Sequence, residues 1–230
     1  MAMDPRDVHD VQGRPVTGAN VYETEEKEKT AEVIFGGSTA EAVVGAAAVV
    51  LAILGLANMW PGYMASIATI AVGAALLFEG GAIASRYSDL ARRTGASEIG
   101  GGVSAEILGG AAGIALGVLA LLGIMPSTLT PIAIIVFGGA LLIGSAATAR
   151  LNALSTVKMS DRARDVTRGA IEMASGTEVL IGIAAIVLGI LALLGMAPRT
   201  LVLIGLLALG ATVLFSGAAI SSRMAGVFRR

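Results

Sequence analysis

The feature that most constrains this chain is a set of long apolar runs, cut at regular places by glutamate and proline. From Glu41 to Pro61, from Glu106 to Pro126 and from Glu178 to Pro198 the spacing is twenty residues, and no gap is needed in any of the three. Twenty residues of helix rise roughly 30 Å, the depth of a bilayer's hydrocarbon core. Lipid offers no partner to a backbone N–H or C=O, so runs of this kind must pair internally as helices.

The three stretches read as copies of one unit. Gly45, Gly110 and Gly182 each stand four residues after the Glu. The text that follows agrees: AVVLAILGL, GIALGVLALLGI and AAIVLGILALLGM. After each Pro a second apolar run returns to Arg86, Arg150 or Arg223, at spacings of 25, 24 and 25 residues. That register aligns Gly80, Gly144 and Gly217, six residues before each Arg. Asn58, Gly123 and Gly195 precede the prolines by three positions. Such residues can take the left-handed conformation that closes a helix, and Pro cannot continue one.

The expected fold is therefore all-α: a polytopic membrane protein with six transmembrane helices, arranged as three parallel-repeat hairpins. The expected spans are 41–58, 63–85, 105–123, 130–149, 178–195 and 200–222. Around them the chain divides into an acidic arm (1–32), hairpin 1 (33–90), hairpin 2 (91–150), a connector (151–177) and hairpin 3 with a basic C-terminus (178–230).

Composition agrees. Of 230 residues 55% are hydrophobic and only 14% charged, where a soluble domain carries about 25% charged. There is no cysteine, which excludes disulfides, thiolate zinc sites and cysteine nucleophiles together. The single histidine, His9, lies in the polar arm, leaving none in the apolar body to ligate haem or a metal. No Walker sequence, Ser–His pairing or paired-carboxylate motif occurs, and Gly100-Gly101-Gly102 lacks the Gly-Lys-Ser/Thr of a phosphate loop. Neither an enzyme nor a cofactor is expected, and no basic stripe suggests nucleic acid.

Charge sets the expected orientation. Of 16 basic residues only Arg199 lies by a proline turn; the other 15 fall on the opposite side. The positive-inside bias places both termini and the long connectors in the cytoplasm and the turns at Pro61, Pro126 and Pro198 outside. Trp60 and Tyr63 suit the headgroup level there. The arm 1–32 holds eight acids against four bases and has no early apolar run, so no cleavable signal peptide is expected.

Three sets of residues stand out. The first helices carry small pairs at one repeat position, Ala48/Ala52, Gly113/Gly117 and Ala185/Gly189. Small residues let helices approach closely in lipid, either within the chain or against a second subunit or complex partner. Glu41, Glu106 and Glu178 fit two readings: caps in the first helical turn, beside Thr39, Ser104 and Thr177, or a ring of carboxylates around a vestibule. Glu32, Glu98 and Glu172 would enlarge such a ring. Glu79 is the one acid inside an apolar run, and its repeat counterparts are Ile143 and Ser216. An intramembrane carboxylate is a functional candidate, against the plainer reading of a hydrated Glu near the interface or one paired with a basic side chain.

The repeated Gly, the LGILAL-like run, the Pro turn and the late Gly of the returning helix resemble the membrane repeat of the HdeD-like acid-resistance proteins, over about residues 41–225. The likeness is best in GIAAIVLGILALLGMAP. It implies six spans in three two-helix repeats in a bacterial inner membrane, and no enzymatic activity. The acidic arm and the long connectors depart from that pattern. Two function classes follow: a non-enzymatic structural, stress-related or assembly component, or a channel or transporter for protons, small ions or neutral solutes, with Glu79 on its path.

The cysteine-free background makes the topology directly testable. Single cysteines replacing Pro61, Ser127 or Arg199 should react with an impermeant thiol reagent on intact cells, and those replacing Arg92 or Arg164 should not. External labelling of Arg164→Cys would reverse the orientation.

Overall fold

The computed structural model describes residues 39–94, 101–155 and 161–228. These form six helices: α1 (Thr39–Leu56), α2 (Pro61–Thr94), α3 (Gly101–Leu121), α4 (Pro126–Ser155), α5 (Asp161–Leu193) and α6 (Pro198–Phe228). No strand occurs among the described residues. The acidic arm 1–32, Glu98 and the side chains of Arg86, Arg150, Glu172 and Arg223 lie outside what is described. Five of the helices are long and apolar enough to cross a membrane, and α3 contributes the apolar stretch Ala105–Leu121. The chain is a multi-pass membrane protein. Its perimeter is studded with exposed Val, Leu, Ile and Phe side chains, the surface a lipid bilayer covers.

The helix stops work through backbone geometry. Asn58, Gly123 and Gly195 have φ of 64°, 84° and 84°. In each turn the next residue's N–H reaches back five positions, from Met59 to Leu54, Ile124 to Leu119 and Met196 to Leu191. A second bond runs from the left-handed residue itself to the carbonyl three before it. This is the Schellman arrangement, which satisfies carbonyls that would otherwise face lipid unpaired.

The prolines do not sit in the turns, as the expected spans had them. Pro61, Pro126 and Pro198 are the first residues of α2, α4 and α6. The first helical position needs no N–H, and proline's fixed φ already suits it. The segment 151–177, expected as a connector, is partly described. Helix α4 runs on to Ser155 and α5 begins at Asp161, so most of that segment is helix continuous with a membrane span.

The bundle has two layers. The spans of α2, α4 and α6 have 44–50% of their residues buried, against 22% and 28% for those of α5 and α1. The even-numbered helices touch one another at the centre, and α3 fills the groove between α2 and α4 as α5 does between α4 and α6. Helix α1 lies against α6, and reaches α2 near its own end.

Backbones meet at three glycine pairs. A Cβ on Gly110 of α3 would lie 2.6 Å from the carbonyl oxygen of Gly73 on α2. One on Gly182 of α5 would lie 2.9 Å from that of Gly138 on α4. One on Gly45 of α1 would lie 3.1 Å from that of Gly210 on α6. At these glycine pairs α3 crosses α2 and α5 crosses α4, each the helix before it in the chain, while α1 crosses α6 at the far end of the sequence. Dispersion and weak Cα–H···O contacts hold such crossings, and both fade steeply with distance.

The small pairs singled out in the sequence serve this packing. Ala48, Ala52 and Ala185 are fully buried. A Cβ on Gly117 would fall 2.7 Å from Cγ1 of Ile70, and one on Gly189 would fall 2.9 Å from the carbonyl of Pro131. Gly113 lies flat against the ring of Phe137. These faces are occupied within one chain.

Replacing Gly117 or Gly189 with Leu should lower stability by about 1–3 kcal/mol through overpacking. Gly139→Leu, where a Cβ meets nothing within 4 Å, is the control. Thermal unfolding in detergent reads the difference, and equal midpoints for all three variants would mean that the crossings contribute nothing.

Candidate functional site

Each outer helix carries its glutamate one helical turn before its crossing glycine, so close helix approach draws the carboxyl group inward with it. All three therefore sit at the end of the bundle opposite the proline turns. Glu41 on α1 is completely buried and Glu106 on α3 is 3% exposed, while Glu178 on α5 is half-buried. Glu79, eighteen residues after Pro61 on α2, reaches the same level and is 8% exposed.

Two glycines make room for Glu106. A Cβ at Gly144 of α4 would overlap its Oε1, and one at Gly80 of α2 would lie 3.2 Å from its Cβ. The side chain is thus held in a cradle between two of the central helices. Across the bundle, the hydroxyl of Ser216 on α6 donates to Glu79 Oε1 at 3.4 Å, a long contact, and also lies beside Glu41. Glu41 is within electrostatic reach of Glu79, Glu106 and Glu178. One cluster collects four acids from four helices.

The cluster is poor in partners. Both carboxyl oxygens of Glu41, Oε2 of Glu79 and Oε2 of Glu106 are buried and make no hydrogen bond. Of the acids expected in a first helical turn, Glu41 is the third described residue of α1 and accepts no backbone N–H, while Glu106 stands in the second turn of a helix described from Gly101. Glu178 lies deep inside α5, which starts at Asp161. Among the described residues no group of His, Asp or Glu is arranged to hold a metal ion.

Between this cluster and the proline turns the interior is apolar. Leu76 and Val72 of α2, Ile134 and Phe137 of α4, and Leu206 and Leu209 of α6 are all fully buried. Hydroxyls within the spans bond to their own helices: Ser66 to Gly62, Thr69 to Ala65, Thr130 to Pro126 and Thr212 to Ala208. Beyond them, where α2, α4 and α6 begin, a cavity of about 600 Å³ opens among Pro61, Pro126, Thr130, Pro198 and Arg199. Trp60 and Tyr63 are exposed at that end.

No family model, curated protein or solved structure matches the chain.

Sequence reasoning picked out all four acids but not their surroundings. Gly80 and Gly144 were visible as a repeated position without a role, and Ser216 only as a counterpart of Glu79. The signal was the register itself: a glycine kept at one place in every copy marks a spot where a Cβ does not fit.

Gly144→Ala should displace the Glu106 carboxyl group and cost about 1–3 kcal/mol. Glu106→Ala in the same chain should restore much of the loss by vacating the overlap. If the double variant is no more stable than Gly144→Ala alone, the cradle is not what the methyl disturbs.

Proposed function

We propose that this chain is a non-enzymatic protein of the bacterial inner membrane, with both termini in the cytoplasm, acting as a structural, stress-related or assembly component. Its six spans are read as three parallel hairpin repeats about the membrane normal. The observation that supports the reading is the set of fully buried apolar side chains, Leu76, Phe137, Leu206 and their neighbours, between the carboxyl cluster and the cavity at the proline turns. A conducting protein needs polar groups or water along its length, because an ion in hydrocarbon is costly. The small-residue faces are spent on packing within the chain, so a partner or second copy would meet the lipid-facing surface or the segments beyond the spans. The resemblance to HdeD-like proteins supports the stress-related part of the reading.

Glu79 favours a second reading, passage of protons or small cations. It is the one acid on a central helix in the described spans, it is buried, and one of its oxygens has no partner.

Purified protein in liposomes separates the two. The first reading expects no proton or alkali-cation flux above that of empty vesicles. Flux that is lost in both Glu79→Gln and Glu79→Ile, with the fold preserved, would replace it with the second. Glu79→Ile is the informative variant, since Ile143 stands at the matching place in the sequence.

A further inference from the structure

We propose that the cluster of Glu41, Glu79, Glu106 and Glu178 is a proton-binding site that governs how tightly the outer helices α1 and α3 pack on the centre of the bundle. Acids near one another at a helix end would not by themselves make a site. The distinguishing observation is that Glu41, with no exposed surface and within electrostatic reach of the other three acids, has both oxygens buried without a hydrogen-bond partner, and that Glu106 in its glycine cradle leaves Oε2 in the same state. Placing an unpaired charge in such surroundings is strongly unfavourable, because nothing there replaces the water it gives up. Carboxyl groups that share one dry space also cannot all be charged together. Bound protons remove both penalties and supply the O–H donors that these oxygens lack. A metal ion is the poorer occupant, because the described acids are not arranged around one.

Among the described residues the groups facing the cluster are few. Helix α1 contributes Glu41, α2 Glu79, α3 Glu106 and α5 Glu178. Helix α6 presents the neutral Ser216, and α4 presents Gly144, followed by Ser145, whose hydroxyl bonds to Leu142. Among the described residues no basic side chain enters.

Protonation is coupled to packing by position. Glu41 and Glu106 stand one turn from Gly45 and Gly110, where α1 and α3 touch their neighbours' backbones. Charging either acid pushes its helix away from the other acids and toward water. The nearest contact to loosen is the glycine crossing, whose attraction falls off within about an ångström of separation. The apolar plug beyond makes the cluster a blind end: protons enter and leave from one side. Proton flux in the liposomes would remove the blind end but not the coupling of carboxyl charge to helix packing on which the inference rests.

Two measurements on the full-length protein in lipid nanodiscs test it. In infrared difference spectra between acid and alkaline buffer, the parent should show the C=O stretch of protonated carboxyl groups. Glu41→Gln and Glu106→Gln should each remove part of that band, the amide keeping shape and neutrality. Thermal unfolding should then fall as pH rises in the parent, because ionisation loads the crossings, and should lose most of that dependence in Glu41→Gln/Glu106→Gln. Each buffer is run with sodium, potassium or a large organic cation as counter-ion, and the result should be the same in all three. Unchanged carboxyl bands in the Gln variants, pH dependence equal to the parent's in the double variant, or stability that follows the alkali cation rather than pH would each overturn the proposal.

Discussion

Contact between bare helix backbones is the interaction on which the rest of this structure depends. A hydrocarbon solvent does not drive apolar helices together, since their side chains lose nothing by facing lipid. What remains is close packing, and it operates only where nothing stands between two main chains. Gly73 against Gly110, Gly138 against Gly182 and Gly45 against Gly210 provide that condition three times. Two of these crossings join consecutive helices, α2 with α3 and α4 with α5, and the third brings α1 onto α6 from the other end of the chain.

The carboxyl cluster is a consequence of those crossings. An acid one turn before a glycine that touches a neighbouring backbone cannot easily turn away from the bundle. Glu41 and Glu106 are carried inside by the same approach that buries Gly45 and Gly110. Glu178 has the same spacing but is only half-buried. Glu79 comes to the cluster by a different route, from a central helix, and there meets Ser216. Isolated buried acids would be liabilities in any membrane protein; in the proposed site the four hold protons in common.

The two ends of the bundle differ in kind. At one, acids meet without described countercharge; at the other, the starts of α2, α4 and α6 surround a cavity with Arg199 at its edge. Between them lie side chains chosen for volume: Phe137 fills the space beside Gly113, and Ile134 the space beside Gly205. That division gives the molecule an axis, with the four carboxyl groups on one side of an apolar core.

Much of this was legible in the chain itself. Length and apolarity compel helices, because backbone pairing in lipid is local and depends on nothing beyond the segment. Asn58, Gly123 and Gly195 end those helices by their tolerance of positive φ, again a local property, and the repeated glycines mark where Cβ atoms are excluded. What the sequence could not decide was which surface each glycine meets. A missing side chain is compatible with a turn, a lipid face or any neighbour, and only the tertiary structure set Gly110 on Gly73 and Gly144 under Glu106. The same holds for the acids. A glutamate after a threonine near the start of an apolar run looks like a cap, and a cap needs only its own helix. Whether its oxygens find N–H groups, water or nothing depends on how far neighbouring helices close over them, and desolvation is set by the whole bundle rather than by any stretch of chain.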